Sequence, residues 1–347
     1  MPGAAVIGWG MAVPEHVVTS TELAASLGTD EEWITRRTGI RERRIAAPGE
    51  TTSALAARAG RRALDVAGVT PVELDLVVVA TTTPDRPIPG TAPIVQAALG
   101  ARRAGAFDVN AACNGFLTGL AACTALIRTG AASTCLVIGA EVLSRFVDWS
   151  DPKTCVLFGD GAGAVVLQRS EQEDAGLLDV RFGADGRAAP LIQVAAGGAE
   201  RPASEATVAA REHVIRMNGP EVYRAAVRTM TESSADALRA AGLRPDQVDL
   251  CIFHQANARI IDECAERLGV PRRAVFCNVD RYGNTSAASV AIALCEAADG
   301  GRLHAGATVL LSSIGAGLVW GAGVLRWTRD RVEPWSFAEG DVVLEAV

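Results

Sequence analysis

The chain repeats one pattern at an offset of half its length. Residues 63–76 read ALDVAGVTPVELDL and residues 237–250 read ALRAAGLRPDQVDL. In each copy a helix ends at a glycine, a turn with a proline follows, and a strand begins. Both strands continue as apolar runs, LVVVATTT (76–83) and LCIFHQA (250–256). A repeat at this distance predicts two copies of one folding unit in the 347 residues.

Later segments of the two copies also correspond. The apolar strand TCLVIGA (134–140) matches TVLLSSIG (308–315), and each is followed by a glycine-rich segment, FGDGAGAVVLQ (158–168) or IGAGLVWGAGVLR (314–326). We expect these glycine-rich segments to form a hairpin that closes each half. Continuous apolar strands that alternate with helices indicate parallel sheets covered on both faces. The pattern therefore predicts an α/β protein.

The same pattern predicts the boundaries of the two halves. The first half covers residues 1–170 and the second covers residues 213–327. Between them, residues 171–212 are polar, rich in Gly and Ala and weakly patterned, so we expect an excursion from the core. Residues 328–347 follow the last core strand as a tail of unassigned role.

Composition narrows the class of protein. Hydrophobic residues make up 49% and charged residues 21%, which is typical of a folded globular chain. The net charge of −7 argues against nucleic acid as a principal partner. The N-terminus has no basic region of a signal peptide, and the long uncharged run 109–127 contains Asn, Thr and Gly, so it indicates a buried helix rather than a membrane span. We expect no membrane partner.

Cysteine and histidine usage points to a reducing compartment. The chain has eight Cys without a CxxC pair and four scattered His, so no metal site is expected. Most of the cysteines lie in apolar runs and are predicted to be buried, reduced thiols. That usage favours a cytoplasmic location.

Cys113 differs from the other cysteines by its position. It follows the strand GAFDV and opens an uncharged helix that runs to Ile127. A helix N-terminus carries exposed N–H groups and partial positive charge, which lowers the pKa of a thiol placed there. Cys113 is therefore a candidate nucleophile, although one more buried core cysteine is the alternative interpretation.

In the second half, an asparagine and a histidine follow predicted strands, as Cys113 does in the first half. AVFCNV is its counterpart of the strand before Cys113, and it leads to Asn284 and a second uncharged helix over 285–295. His254 ends the strand LCIF. Alone, Asn284 would be a helix cap and His254 a structural histidine. Because ligand sites of α/β sheets lie at the carboxyl ends of strands, the three together predict an acyl-transfer site.

Two other motifs do not change this interpretation. GDGAGA (159–164) is followed by a strand rather than a helix, so it does not predict a dinucleotide site. RRTGIRERR (36–44) contains five Arg. Such a run forms a solvated face or holds a phosphate or an acidic partner, and the sequence leaves both open.

These residues resemble a known family. VNAACNGF around Cys113, HQANARI at 254–260 and GNTSAASV at 283–290 are similar to β-ketoacyl-acyl carrier protein synthase III, of the thiolase superfamily. EEWITRRTGIRERRIAA (31–47) and FGDGAGA (158–164) match as well. The similarity runs from residue 4 to about residue 327. It implies a duplicated thiolase-like fold with five αβαβα layers, a homodimer, and no cofactor other than CoA thioesters as substrates.

The resemblance also implies an activity. Cys113 would carry the acyl group of a primer acyl-CoA, and malonyl-acyl carrier protein would then undergo decarboxylative condensation with it. His254 and Asn284 would promote the decarboxylation and steady the enolate. Backbone N–H groups of Cys113 and Ala316 would hold the oxyanion.

The binding residues are implied by the same matching. Trp33 and Arg37 would hold the CoA nucleotide, and Arg224, Asn257 and Arg259 would line the pantetheine entrance or the carrier-docking face. The primer acyl group would be surrounded by Leu143, Phe158, Met217 and Ile314, with Ile88 from the partner subunit. Housekeeping members of the family often carry Phe at the positions of Ile88 and Ile314, so the sequence predicts a roomier pocket.

Three alternatives compete with this interpretation. The first is a relative that transfers an acyl group to an alcohol or amine without decarboxylation, which would not need Asn284. The second is a Cys-His-Asn hydrolase, which the duplicated halves disfavour. The third is a non-catalytic carrier-binding subunit, against which an intact Cys113 weighs.

Overall fold

The computed structural model describes residues 1–330, so most of the predicted tail 328–347 lies outside the described residues. Within that range the chain forms thirteen strands and ten α-helices. The strands are Gly3–Ala12 (β1), Val17–Thr19 (β2), Glu42–Arg44 (β3), Leu76–Ala80 (β4), Gly105–Val109 (β5), Thr134–Glu141 (β6), Gly161–Ser170 (β7), Gly176–Ala184 (β8), Ile192–Val194 (β9), Ile215–Met217 (β10), Leu250–Phe253 (β11), Thr308–Gly315 (β12) and Val319–Arg326 (β13). The helices are Ser20–Leu27 (α1), Glu31–Thr38 (α2), Thr52–Ala67 (α3), Thr91–Leu99 (α4), Gly115–Arg128 (α5), Glu205–Ala209 (α6), Gly219–Ala240 (α7), Ala258–Leu268 (α8), Val279–Tyr282 (α9) and Ala288–Asp299 (α10).

The repeated sequence pattern folds as predicted in both halves. The chain leaves α3 at Gly68 and α7 at Gly242, whose φ angles of 67° and 70° lie in the left-handed region that favours glycine. A 3₁₀ turn that begins at Pro71 or Pro245 follows, and the next residues enter β4 or β11. The same local turn chemistry therefore leads the chain into β4 in the first half and into β11 in the second.

The two main sheets share a strand order. The first runs β1-β7-β6-β4-β5, and the second runs β8-β13-β12-β11. β4 is parallel to β5 and β6, as β11 is to β12, while β7 and β13 are antiparallel to their neighbours. In the second half the counterpart of β5 is a single parallel bridge between Cys251 and Val275, so the predicted strand AVFCNV does not form.

Five layers follow from three of the four hydrophobic cores in the described residues. Alternation along β4 sends Val77 and Val79 into a core with α3 and α4, and Val78 into a middle core with α5 and α10. On β12, Leu311 joins that middle core and Leu310 joins a third core with α7 and α8. The order is helices, sheet, helices, sheet, helices, which is the predicted αβαβα fold.

Small residues let α10 reach the first sheet. A Cβ on Gly163 of β7 would lie 2.6 Å from the backbone of Ala291, and a Cβ on Gly139 of β6 would lie 2.3 Å from the Ala287 carbonyl oxygen. The first two turns of α10 have no solvent-facing side, because the helix is buried along most of its length. This burial explains why these two turns carry no charged residue.

Besides the missing strand AVFCNV, the structure corrects three further expectations about the elements. Residues 171–212 are not wholly an excursion, because β8 pairs with β13 and occupies the position that β1 has in the first sheet. The segment 158–168 is not a hairpin: β6 and β7 are antiparallel neighbours, but a long connection joins them. The helix expected over 285–295 begins at Ala288, three residues later than predicted. The boundaries of the halves otherwise stay a prediction.

In the described part of the chain, no helix combines the length and the apolarity needed to cross a bilayer.

Candidate active site

A cavity of about 1200 Å³ collects the predicted site residues from both halves. It is lined by side chains or backbone of all of them except Ile88. These are Trp33, Arg37, Cys113, Leu143, Phe158, Met217, Arg224, His254, Asn257, Arg259, Asn284, Ile314 and Ala316.

Cys113 sits on a tight turn between β5 and α5. Ala112 has a positive φ of 46°, and a 3₁₀ turn over Ala112–Asn114 leads directly into the helix. The Ser313 hydroxyl donates to the Cys113 carbonyl oxygen at 2.8 Å. A Cβ on Gly315 would lie 2.5 Å from the Cys113 nitrogen, so only glycine allows β12 to approach this closely. The end of β12 therefore places Ala316, the next residue, beside the 3₁₀ turn that carries Cys113.

The prediction that the helix N-terminus lowers the pKa of this thiol is wrong for the structure. Burial raises the pKa of Cys113 to about 12, and the nearby Glu141 carboxylate adds to the rise. A hydrogen bond with Ser286 acts in the opposite direction but is the smaller effect. The resting nucleophile is therefore a thiol.

His254 follows β11 and is held from two sides. Its backbone N–H donates to the Ser312 carbonyl oxygen at 2.7 Å, which continues the β11–β12 ladder by one residue. Its Nδ1 lies 2.6 Å from the Ser289 hydroxyl on α10. The side chain is buried, and desolvation lowers the pKa of His254 to about 4. The imidazole is therefore neutral at pH 7.

Asn284 does not cap α10, whose N-cap residue is Ala287, but forms backbone hydrogen bonds with residues of the first half. Its backbone N–H donates to the Leu157 carbonyl oxygen at 2.8 Å, and its own carbonyl oxygen accepts from the Gly159 N–H at 3.0 Å. Its side-chain Oδ1 accepts from the Ser286 N–H at 2.8 Å. The Ser286 N–H needs an acceptor, so the side-chain oxygen of Asn284 must face it. The Nδ2 group of Asn284 is then free to donate to a ligand in the cavity.

Glu141, at the end of β6, is a site residue that sequence reasoning missed. Its fully buried carboxylate accepts hydrogen bonds from the Thr82 N–H at 3.1 Å, the Thr83 hydroxyl at 2.6 Å and the Ser286 hydroxyl at 3.0 Å. It joins the loop after β4 to the loop that carries Asn284. The sequence signal that could have identified Glu141 is its position as the single charged residue at the end of the otherwise uncharged strand β6.

The mouth of the cavity carries cationic and aromatic groups. The Arg37 guanidinium lies over the Trp33 ring at 4.6 Å, and the Asn257 amide donates to the Arg37 carbonyl oxygen at 2.9 Å. Arg259 lies over the Tyr223 ring at 5.2 Å. This arrangement suits a ligand that is both planar and anionic.

Ile88 lies away from the cavity of its own chain. It is 86% exposed. A single chain does not test whether this side chain enters a partner subunit, so that role stays a prediction. Within residues 1–330, no group of three or more His, Cys, Asp or Glu could hold a metal ion.

The fold and the cavity define a class of protein. Two sheets of matching strand order that enclose two buried helices are the thiolase-type fold, shared with solved 3-oxoacyl-[acyl-carrier-protein] synthase III structures. The structure from Aquifex aeolicus has a TM-score of 0.86 and 45% identity, covering 94% of this chain and 100% of that one. A priming β-ketosynthase from the R1128 polyketide pathway has a TM-score of 0.88 and 36% identity, covering 95% and 97%.

Sequence comparison identifies the family within that class. The family description 3-oxoacyl-[acyl-carrier-protein (ACP)] synthase III matches residues 107–186, and that of its C-terminal part matches residues 238–327. The β-ketoacyl-[acyl-carrier-protein] synthase III of Roseiflexus castenholzii is 54% identical over 94% of this chain and 98% of its own length. The chain belongs to the β-ketoacyl-[acyl-carrier-protein] synthase III family, and it is an acyltransferase-class enzyme.

Proposed function

We propose that the chain loads the acyl group of an acyl-CoA onto Cys113 and condenses it with malonyl-acyl carrier protein. One observation carries this proposal: a thiol, an imidazole and an amide from the two halves face one cavity whose mouth holds Trp33 and Arg37. The condensation would begin a fatty-acid or polyketide chain.

The first step is a thioester exchange. The Cys113 sulfur attacks the primer carbonyl, the C–S bond to CoA breaks, and the thiol proton leaves with the CoA sulfur as a free thiol. The exchange needs no net base, which fits a nucleophile that is protonated at rest. Backbone N–H groups of Cys113 and Ala316 would hold the tetrahedral oxyanion.

The second step forms a carbon–carbon bond. The malonyl carboxylate leaves as CO2, and its electron pair becomes an enolate whose oxygen accepts from His254 and Asn284. The carbanion attacks the acyl carbonyl, the C–S bond to Cys113 breaks, and the released thiolate takes up one proton from solvent. A neutral imidazole and an amide, both donors, suit a charge that develops only during the reaction.

The substrates would enter past the cationic mouth. Trp33 and Arg37 would hold the CoA nucleotide, while Arg224, Asn257 and Arg259 would contact pantetheine or the carrier protein. The apolar walls at Leu143, Phe158, Met217 and Ile314 would receive the primer. We further propose a cytoplasmic homodimer that uses CoA thioesters as substrates and no other cofactor.

Mass spectrometry tests the loading step. The protein is mixed with a panel of acyl-CoAs, digested, and mapped for adducts. We expect an adduct on Cys113 alone, lost in Cys113→Ala and retained in Cys277→Ala, a matched control because Cys277 is an exposed thiol. An adduct on another cysteine, with Cys113 bare, would overturn the mechanism.

Addition of malonyl-acyl carrier protein to the acylated enzyme tests the condensation. We expect the adduct to disappear with release of CO2 and formation of a β-ketoacyl carrier protein. Transfer of the acyl group to an alcohol or amine without CO2 release would favour the non-decarboxylating alternative.

A further inference from the structure

The wall behind His254 contains one hydroxyl in an apolar helix. Ser289 is the second residue of α10, and the residues that follow it, up to Cys295, have no polar side chain other than that thiol. Its side chain is 1% exposed. The Ser289 Oγ lies 2.6 Å from His254 Nδ1 and accepts the Gln255 backbone N–H at 3.4 Å. His254 and Gln255, the two residues that follow β11, therefore both form a hydrogen bond with this hydroxyl.

The hydrogen bonds around Ser289 fix the direction of its contact with the imidazole. A serine hydroxyl has one proton to donate. Among residues 1–330, His254 Nδ1 is the only acceptor for that proton in the structure. If Nδ1 carried the ring proton, it would donate to Oγ, and the buried Ser289 O–H would have no acceptor. Since buried donors are almost always satisfied, the hydroxyl donates and Nδ1 accepts.

We propose that Ser289 is a positioning residue that holds His254 as the Nε2–H tautomer. The Nε2 atom has no hydrogen-bond partner within residues 1–330, and the ring lines the cavity, so this tautomer presents an N–H to the substrate. The other tautomer would present a lone pair. Only the first can donate to an enolate oxygen.

The consequence for the reaction is specific. The proposal rests on the function proposed above, in which His254 donates to the malonyl thioester. With Nε2 already protonated, His254 does not take the Cys113 proton in the resting enzyme. Ser289 should therefore matter for decarboxylation and not for loading of the thiol.

Nitrogen-15 NMR of the full-length protein tests the tautomer directly. The chain has four histidines, so a His254→Asn variant assigns the resonance. At pH 7 we expect the shifts and long-range couplings of a neutral ring protonated at Nε2. In Ser289→Ala we expect a mixture or the Nδ1–H form. An Nδ1–H ring in the parent protein, or an unchanged Nε2–H ring in Ser289→Ala, would overturn the proposal.

Kinetics separates positioning from a general structural effect. In Ser289→Ala we expect kcat for malonyl decarboxylation to fall by about 10–100-fold, by analogy with the loss seen when the partner that orients a metal-bound histidine is removed. KM for malonyl-acyl carrier protein and the rate of Cys113 acylation should change little. Ser289→Thr, which keeps a hydroxyl, should restore the Nε2–H tautomer and much of the rate.

Ser233→Ala is the matched control, because Ser233 is also buried in a helix but donates only to its own helix at the Met230 carbonyl oxygen. It should leave both steps unchanged. Equal loss of acylation and decarboxylation in Ser289→Ala would indicate a structural role and overturn the proposal. If the parent protein does not decarboxylate malonyl thioester, the proposed function fails, and the parent tautomer still decides the role of Ser289.

Discussion

Burial leaves the Cys113 thiol and the His254 imidazole both uncharged at neutral pH. Desolvation raises the pKa of the thiol to about 12 and lowers the pKa of the imidazole to about 4. Cysteine hydrolases instead use a thiolate paired with an imidazolium, which needs the opposite shifts. The two shifts run opposite to that pairing and fit a site in which His254 donates a hydrogen bond.

His254→Ala and Asn284→Ala should separate the two half-reactions. Each variant loses one donor to the enolate, and loss of one such donor costs about 10²–10³ in rate. We expect malonyl decarboxylation to fall by at least that range, while acyl-CoA still loads Cys113. Stopped-flow loading and CO2 release measure the two steps. Variants that lose loading but still decarboxylate would contradict the assigned roles.

Acid should destabilise the parent protein through His254. Its folded pKa of about 4 lies below its ordinary value of about 6.5, so the unfolded state binds the proton more readily. Stability is fully present above pH 6.5 and falls as the pH drops towards 4, by about 3 kcal/mol at most. Denaturant titrations across that range should show this slope for the parent and a reduced slope for His254→Asn. Identical slopes in the parent and in His254→Asn would refute the assignment.

Removing the Glu141 carboxylate should destabilise the fold. The donors of Thr82, Thr83 and Ser286 would be left without an acceptor in a buried place. Each unsatisfied donor costs about 1–3 kcal/mol, so Glu141→Ala should lower the free energy of unfolding by about 3 kcal/mol or more. Glu171→Ala, at an exposed carboxylate, should change it by less than about 0.5 kcal/mol. Equal stabilities would show that the network contributes little.

At the scale of elements, the packing of α10 on the first sheet depends on glycine. Gly163→Ala would place a Cβ 2.6 Å from the backbone of Ala291, and a backbone cannot move aside as a flexible side chain can. Overpacking of this kind costs about 1–3 kcal/mol, and α10 also carries Ser289. We expect a lower melting temperature and slower decarboxylation.

Gly186→Ala is the control for that substitution, because nothing lies within 4 Å of its added Cβ. It should leave the melting temperature and the activity close to those of the parent. A Gly163→Ala protein as stable as Gly186→Ala would show that the helix can shift without cost.

At the scale of the whole molecule, primer choice is predicted to depend on a second chain. Ile88 is exposed on its own chain and is expected to enter the partner's pocket, while Ile314 lines the cavity from within. Both are smaller than Phe, so branched or medium primers should compete well with acetyl. One methylene in an apolar pocket changes selectivity by about 1–3 kcal/mol.

Ile88→Phe should narrow the range towards acetyl, measured as relative kcat/KM for acetyl-, isobutyryl- and hexanoyl-CoA. Val72→Phe, at another exposed apolar position, is the control and should change nothing. A parent that strongly prefers acetyl, with no change in Ile88→Phe, would show that position 88 does not set primer size. Light scattering of the parent protein tests the dimer itself.

Local patterns in the sequence determined the duplicated architecture and three of the site residues. Each of these features is visible in a short stretch of sequence. They are the helix ends at Gly68 and Gly242, the apolar strands that follow them, and the motifs around Cys113, His254 and Asn284. Such signals predict elements and their order because turn geometry and burial periodicity act over short distances.

Only the tertiary structure decided how those elements meet. The Ser289 hydroxyl reaches His254 across 35 residues of sequence, and the Ser286 hydroxyl reaches Glu141 across 145. The thiol pKa depends on desolvation in a cavity lined by residues of both halves, so the helix N-terminus alone predicted the wrong direction. Strand β8 completes the second sheet although its own segment is weakly patterned, because its pairing partner β13 is more than a hundred residues away. Contacts between distant residues determine hydrogen-bond partners and desolvation, and local sequence signals carry neither.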